Sequence, residues 1–164
     1  MAGPGGMTPI DARLILSDEA LDRALELLLL AEAALWITAD DGLDREAQKL
    51  GRGHFRAAFL IKRKPGIGVQ ELARLTGLSK QGASKVLSEL TAAGLVDKAP
   101  SEEDARRRPA RLTAAGEAFE MRMASRLRGA VAKAYRSGGM EHAPSAHLFL
   151  SALARVVMRD SDLR

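Results

Sequence analysis

The chain has 164 residues, 46% apolar and only 4% aromatic, which suits one well-buried core with oligomerisation elements better than a multidomain array. It contains no cysteine, so a disulfide framework, a thiolate zinc finger, an iron-sulfur cluster and a thiol redox switch are excluded for this polypeptide, and a cytoplasmic setting suits it. The net charge is only +4, yet residues 1–50 hold 4 basic and 10 acidic side chains, residues 51–113 hold 13 and 6, and residues 114–164 hold 8 and 5, so the positive charge sits in the middle.

Leu and Ala dominate and strand-favouring runs are nearly absent, which predicts a mainly helical protein. Residues 1–16 read as a flexible tail: Met1 to Pro9 is rich in Gly and Pro and has neither the basic nor the apolar stretch of a secretion signal. Ser17 then offers an N-cap, with Asp18 and Glu19 in the first turn of a long helix. Its stripe of Leu21, Leu25, Leu28, Ala31 and Leu35 is widened by Leu27, Leu29, Leu30 and Ala34, more than one packing surface needs, which points to a second subunit. The apolar run from Leu27 to Ile37 is interrupted by Glu32 and falls short of the ~20 residues of a membrane span, so a soluble protein is expected. Asp40-Asp41-Gly42 is expected to end this helix, making residues 17–50 a dimerisation element and its connection. A second helix runs from Arg52 to Arg63, with Phe55, Ala58 and Phe59 inward, until Lys64-Pro65-Gly66 stops it.

The stretch from Val69 to Gly94 carries the first specific signal. Counting Val69 as position one, Leu72 and Ala73 fall at four and five, Gly77 at nine, Leu78 at ten, Ala83 at fifteen and Val86 at eighteen. That is the pattern of a DNA-binding helix-turn-helix: a small residue lets two helices approach, a glycine makes the turn, and apolar residues hold the second helix down. Ser79 is the expected N-cap of this second helix, which buries Ala83, Val86, Leu87 and Leu90 and leaves Lys80, Gln81, Ser84, Lys85 and Ser88 outside. Gln81 is the best base reader, since its amide pairs bidentately with adenine, while Lys80 and Lys85 suit guanine or phosphate. Gly82, a poor helix former on an exposed turn, suggests close approach to a groove, or else a tolerated surface glycine.

Leu95 to Ala99, a charged turn from Pro100 to Arg108, and Pro109 to Leu112 form a candidate hairpin, the wing. Pro109 lacks a ladder donor and restricts its strand to an edge. Thr113 onward begins a long helix with a stripe of Phe119, Met123, Leu127, Val131 and Ala134, broken at Ser137-Gly138-Gly139. A final helix from Pro144 or Ser145 to Arg159 bears Leu148, Phe149, Leu150, Leu153, Val156 and Val157, again too apolar for a monomer's surface. Residues 51–113 are thus the expected winged helix-turn-helix domain and residues 114–164 further dimerisation helices.

With these elements in this order, the chain from Asp18 to Arg159 resembles the MarR family of bacterial regulators, with the PetP-like regulators as the subgroup suggested. The most specific likeness is Asp104-Ala105-Arg106-Arg107-Arg108-Pro109-Ala110-Arg111-Leu112-Thr113-Ala114-Ala115-Gly116, which looks like the family's wing signature, Asp-x-Arg followed by Leu-Thr-x-x-Gly. The resemblance implies a homodimer with interlocked terminal helices and two winged lobes on double-stranded DNA, at a pseudo-palindromic operator. It also implies that Asp104 orients Arg106, with Arg106, Arg107 and Arg108 at the wing tip beside the minor groove. A solvated charged hairpin is the plainer reading of the same run.

Trp36, His54, Phe55 and Tyr135 are candidates for a small-molecule effector pocket, since the family often responds to aromatic acids; plain core residues are the other reading. His142 and His147 are five apart across Pro144, wrong for a zinc-binding helical pair, and no metal or cofactor is expected. The function expected is that of a sequence-specific regulator, read as a repressor. A winged helix that docks protein or membrane would bind DNA only non-specifically, and the basic face of Lys80 and Lys85 speaks against it. An enzyme is disfavoured, because no Ser-His-Asp ordering, phosphate loop or carboxylate cluster appears.

Overall fold

Polar caps and left-handed glycines punctuate the chain. In the computed structural model, which describes residues 16–43, 50–98 and 110–160, the elements are α1 (Asp18–Leu43), α2 (Arg52–Arg63), α3 (Val69–Thr76), α4 (Lys80–Ala92), β1 (Val96–Lys98), β2 (Ala110–Leu112), α5 (Ala114–Gly138), a 3-10 turn (Met140–His142) and α6 (Ala143–Asp160). Ser17 Oγ accepts from the Ala20 amide at 3.3 Å, and Asp18 and Glu19 follow in the first turn of α1, where carboxylates favour the helix dipole. α1 runs to Leu43, one residue past the expected stop at Asp40-Asp41-Gly42. A helical glycine costs only about 1 kcal/mol, and positive φ angles are found at Gly66, Gly77, Gly94 and Gly139.

The chain divides into two units, residues 1–37 and residues 38–164, with the boundary inside α1. In the first, Leu25, Leu27, Leu29 and Leu30 are each more than half exposed. In the second, α2 is the central element and packs on α3, α4, α5 and β2. It offers the buried face of Phe55, Ala57, Ala58 and Ile61, while its neighbours contribute Leu72 from α3, Leu90 from α4 and Phe119 and Met123 from α5, all fully buried. Small residues on α2 let its neighbours approach closely, and burying large apolar side chains stabilises each by about 1.5–3 kcal/mol.

One charge lies within this packing. Glu120 on α5 is 1% exposed and receives Lys62 Nζ at 2.9 Å and Arg63 Nη1 at 3.0 Å, both from the last turn of α2. Burial pushes its carboxyl pKa up, but the two cations outweigh that and hold it below the ordinary glutamate range. Arg63 also lies over the Phe59 ring, 3.2 Å from its centroid, a cation-π contact that fixes the guanidinium's direction. α2 and α5 are thereby joined by apolar packing and by a charged clamp.

The strands pair antiparallel, with Val96 opposite Leu112, Asp97 opposite Arg111 and Lys98 opposite Ala110. Val96 and Ala110 are buried, whereas Asp97 and Arg111 place opposite charges on the exposed face. The hairpin's base is closed by the Leu-Thr-x-x-Gly sequence. Thr113 Oγ1 donates to the Gly94 carbonyl at 2.7 Å and accepts from the Gly116 amide at 3.0 Å, so one hydroxyl ends the wing and caps α5. Gly116 is required by space: a Cβ there would collide with the Leu95 carbonyl oxygen and lie 2.9 Å from its carbon.

Candidate nucleic-acid interface

The turn between α3 and α4 follows from three residues. Gly77 closes α3 at φ 71°, and the Leu78 amide returns to the Ala73 carbonyl at 3.1 Å. The buried Thr76 hydroxyl donates back to the Leu72 carbonyl at 2.7 Å, so this hydroxyl is not stranded as the helices cross. Ser79, extended at ψ 158°, starts α4 by accepting from the Gly82 amide at 3.0 Å.

Gly82 stands beside this cap. The position a Cβ would take lies 3.3 Å from Ser79 Oγ and 3.6 Å from Leu78 Cβ, so the missing side chain faces the turn rather than the outer surface. Ala83, Leu87 and Leu90 are buried, as the sequence pattern expects, while Val86 is half-buried. Val86 Cγ2 lies 3.5 Å from where a Cβ on Gly53 would stand, which brings the start of α2 against the middle of α4.

The outward residues Lys80, Gln81, Ser84, Lys85 and Ser88 are all exposed. At 100° per residue they occupy an arc of about 140° and a length of about 12 Å. That is a convex, polar ridge with two ammonium groups. Lys80 and Lys85 have no ion-pair partner among the described residues. Elsewhere in the basic middle segment Lys62 and Arg63 hold Glu120, Lys64 holds Glu71 at 3.1 Å, and Arg52 holds Asp40 at 2.5 Å. The charge not consumed by the fold thus includes this ridge. Helix α4 also directs its first amides outward, where the helix dipole favours an anion.

Asp104, Arg106, Arg107, Arg108 and Pro109 lie outside the described residues; β1 and β2 show where the wing leaves and rejoins the lobe.

Each of the four aromatic and histidine candidates has its own local surroundings. Trp36 is half-buried in α1, its indole donating to Glu32 Oε1 at 3.3 Å. Phe55 is buried in the lobe with its ring 5.6 Å from that of Phe59. Tyr135 is half-buried on α5. His54 accepts from the Gly51 amide through Nδ1 at 2.9 Å and meets Glu89 Oε2 through Nε2 at 2.9 Å. Sequence reasoning missed this pair because the partner is 35 residues away. It also missed the Glu120 clamp, whose signal was an acid flanked by Phe119 and Met123 in an apolar stripe.

The comparisons agree with this geometry. A family model described as "MarR family" matches residues 48–107. The HTH-type transcriptional regulator PetP of Rhodobacter capsulatus is 32% identical over 156 residues, covering 95% of this chain and 90% of its own. The Mycobacterium tuberculosis MarR family protein Rv2887, solved in complex with p-aminosalicylic acid, is 27% identical, with a TM-score of 0.59 over 80% of this chain and 95% of its own. The transcriptional regulator SlyA is 15% identical and shares the fold, with a TM-score of 0.71 over 87% of this chain and 98% of its own. A turn built on Gly77 and Ser79, a hairpin closed by Thr113 and Gly116, and a relative matched along nearly its whole length lead to one conclusion: the chain belongs to the MarR family of winged helix-turn-helix, DNA-binding transcriptional regulators.

Proposed function

We propose that the protein is a homodimeric repressor whose two α4 helices enter successive major grooves of a pseudo-palindromic operator. The observation that carries this reading is the exposed ridge of Lys80, Gln81, Ser84 and Lys85 on a helix start fixed by Ser79. In this reading Gln81 reads a base edge, Lys80 and Lys85 take guanine or phosphate, and Ser79 and Ser84 line the approach. Gly82 presents a turn of α4 without a side chain to the approaching groove. Arg106, Arg107 and Arg108 reach the flanking minor groove, with Asp104 orienting Arg106.

Dimerisation is supported by apolar surface that a monomer would leave in water. Leu27 is 67% exposed on α1 and Leu148 66% on α6, with Phe149 and Leu150 at about half. Charge supports the same pairing. Asp18, Asp22 and Glu26 form an acidic row on α1 at intervals of four, and Arg126, Lys133 and Arg136 lie within about 80° on α5, so helices of two copies can meet with opposite charge.

The complexes of Rv2887 with p-aminosalicylic and salicylic acids make a small aromatic acid the effector class to test, with Trp36 and Tyr135 as the first side chains to probe. Selection of duplexes from a random pool by the purified protein tests the core of the reading. The expected outcome is an enriched pseudo-palindrome with half-sites about 10 base pairs apart. Recovery of no enriched sequence would favour the docking alternative.

A further inference from the structure

The start of α2 is tied to α4 by an imidazole whose two nitrogens have different duties. The Gly51 N–H can only donate, so His54 Nδ1, 2.9 Å away, must accept. The ring proton of the neutral imidazole therefore sits on Nε2, which donates to Glu89 Oε2 at 2.9 Å. His54 is well covered, with its side chain 13% exposed, and Glu89 is on the second half of α4 at 45%. Around the pair, Gly53 sits against Val86 and Leu78. One residue earlier, Arg52 grips Asp40 of α1 through three nitrogen-oxygen contacts of 2.5–3.2 Å. Two polar links, made two residues apart, therefore join the end of α1, the start of α2 and the body of α4.

We infer that His54 is a positioning residue for DNA recognition: through Nε2 and Glu89 it fixes the rotation of α4 about its axis, and through Nδ1 it refers that rotation to the α2 start. The physical case is geometric. Apolar contacts of Ala83, Leu87 and Leu90 hold α4 against the lobe but tolerate a few degrees of roll, because packing is non-directional. A directional bond to one edge of the helix does not tolerate it. Such a roll displaces Gln81 and Lys85 sideways in a groove where bidentate pairing needs a fixed angle. Phosphate contacts, longer-ranged and less directional, survive it. Loss of the pair should thus lower affinity for operator DNA and spare affinity for unrelated DNA. The inference rests on α4 being the reader.

The test measures the ratio of operator to scrambled-duplex affinity for the full-length protein. It uses the wild type, His54→Asn, Glu89→Ala, Glu89→Gln, the double variant His54→Asn/Glu89→Ala, and Gln81→Ala as a reference. Asn keeps an acceptor near the Gly51 amide and loses Glu89. Loss of folded protein weakens both duplexes alike and leaves the ratio unchanged, so the ratio reports orientation. Expected are a fall of about three- to tenfold for His54→Asn and Glu89→Ala, no further fall in the double variant, and recovery of most of the ratio in Glu89→Gln, whose side-chain oxygen still accepts. Nitrogen-15 NMR of the wild type should find His54 Nδ1 unprotonated and Nε2 protonated. The inference is overturned if the Nδ1–H form dominates, or if Gln81→Ala lowers the ratio while the His54 and Glu89 variants do not. If Gln81→Ala leaves the ratio intact as well, the reading of α4 fails with it.

Discussion

Lys62 Nζ on α2 lies 2.9 Å from Glu120 Oε2 on α5, and Arg63 approaches the other carboxylate oxygen from the adjacent position. The clamp joins the helix before the helix-turn-helix to the helix after the wing. Because the Glu120 pKa is lowered in the fold, its stabilisation is complete above the ordinary glutamate range and is lost as pH falls through the lower, folded value. Glu120→Gln should destabilise by about 1–2 kcal/mol at neutral pH, less than a fully buried pair because both cations reach water. Denaturant unfolding from neutral to acid pH should show the wild-type and variant curves converging at the acid end.

Gly116→Ala should be far worse than its size suggests. The new methyl would meet the Leu95 backbone, which Thr113 N also uses at 3.1 Å, so nothing flexible can yield. A loss of about 3 kcal/mol is expected, at the upper end for overpacking. Thermal unfolding measures it.

Ser79 has a capping role and a proposed contact role, and two substitutions separate them. Ser79→Ala removes the acceptor for the Gly82 amide and should cost about 1 kcal/mol of stability. Ser79→Asp keeps a good cap but sets a negative charge where a phosphate would lie, so it should fold normally and bind DNA weakly. Unfolding curves beside DNA titrations distinguish the two effects.

The dimer proposal can be tested without touching the lobe. Leu27 and Leu148 are two-thirds exposed, so Leu27→Asp with Leu148→Asp should leave the fold of each chain intact and weaken self-association by roughly 30-fold or more. Sedimentation velocity at micromolar concentration should show a monomer in place of a dimer.

Much of the site was legible in the sequence because its determinants are local. Gly77 and Ser79 encode a turn and a cap within three residues, and the inward set of Ala83, Leu87 and Leu90 follows helical period. Gly82 was legible as unusual, but not that its open side faces Leu78 and Ser79. The contacts of His54 were not legible, because one-dimensional spacing gives no hint that Gly51 and Glu89 meet its two nitrogens. The end of α1, expected at Asp40-Asp41-Gly42, falls one residue on at Leu43, since a glycine permits a stop but does not impose one.

The central claim is that the outer face of α4 reads the sequence of DNA. Fluorescence anisotropy of labelled duplexes at several salt concentrations tests it most directly, comparing wild type, Gln81→Ala and Lys85→Ala on the selected operator and on a scrambled duplex. The account expects the wild type to prefer the operator by about 10³-fold or more. Gln81→Ala should lose about tenfold or more of that preference with unchanged scrambled binding, and Lys85→Ala, if it contacts phosphate, should weaken both and lower the salt slope by about one. Full retention of the preference by both variants would contradict the account and move recognition away from α4.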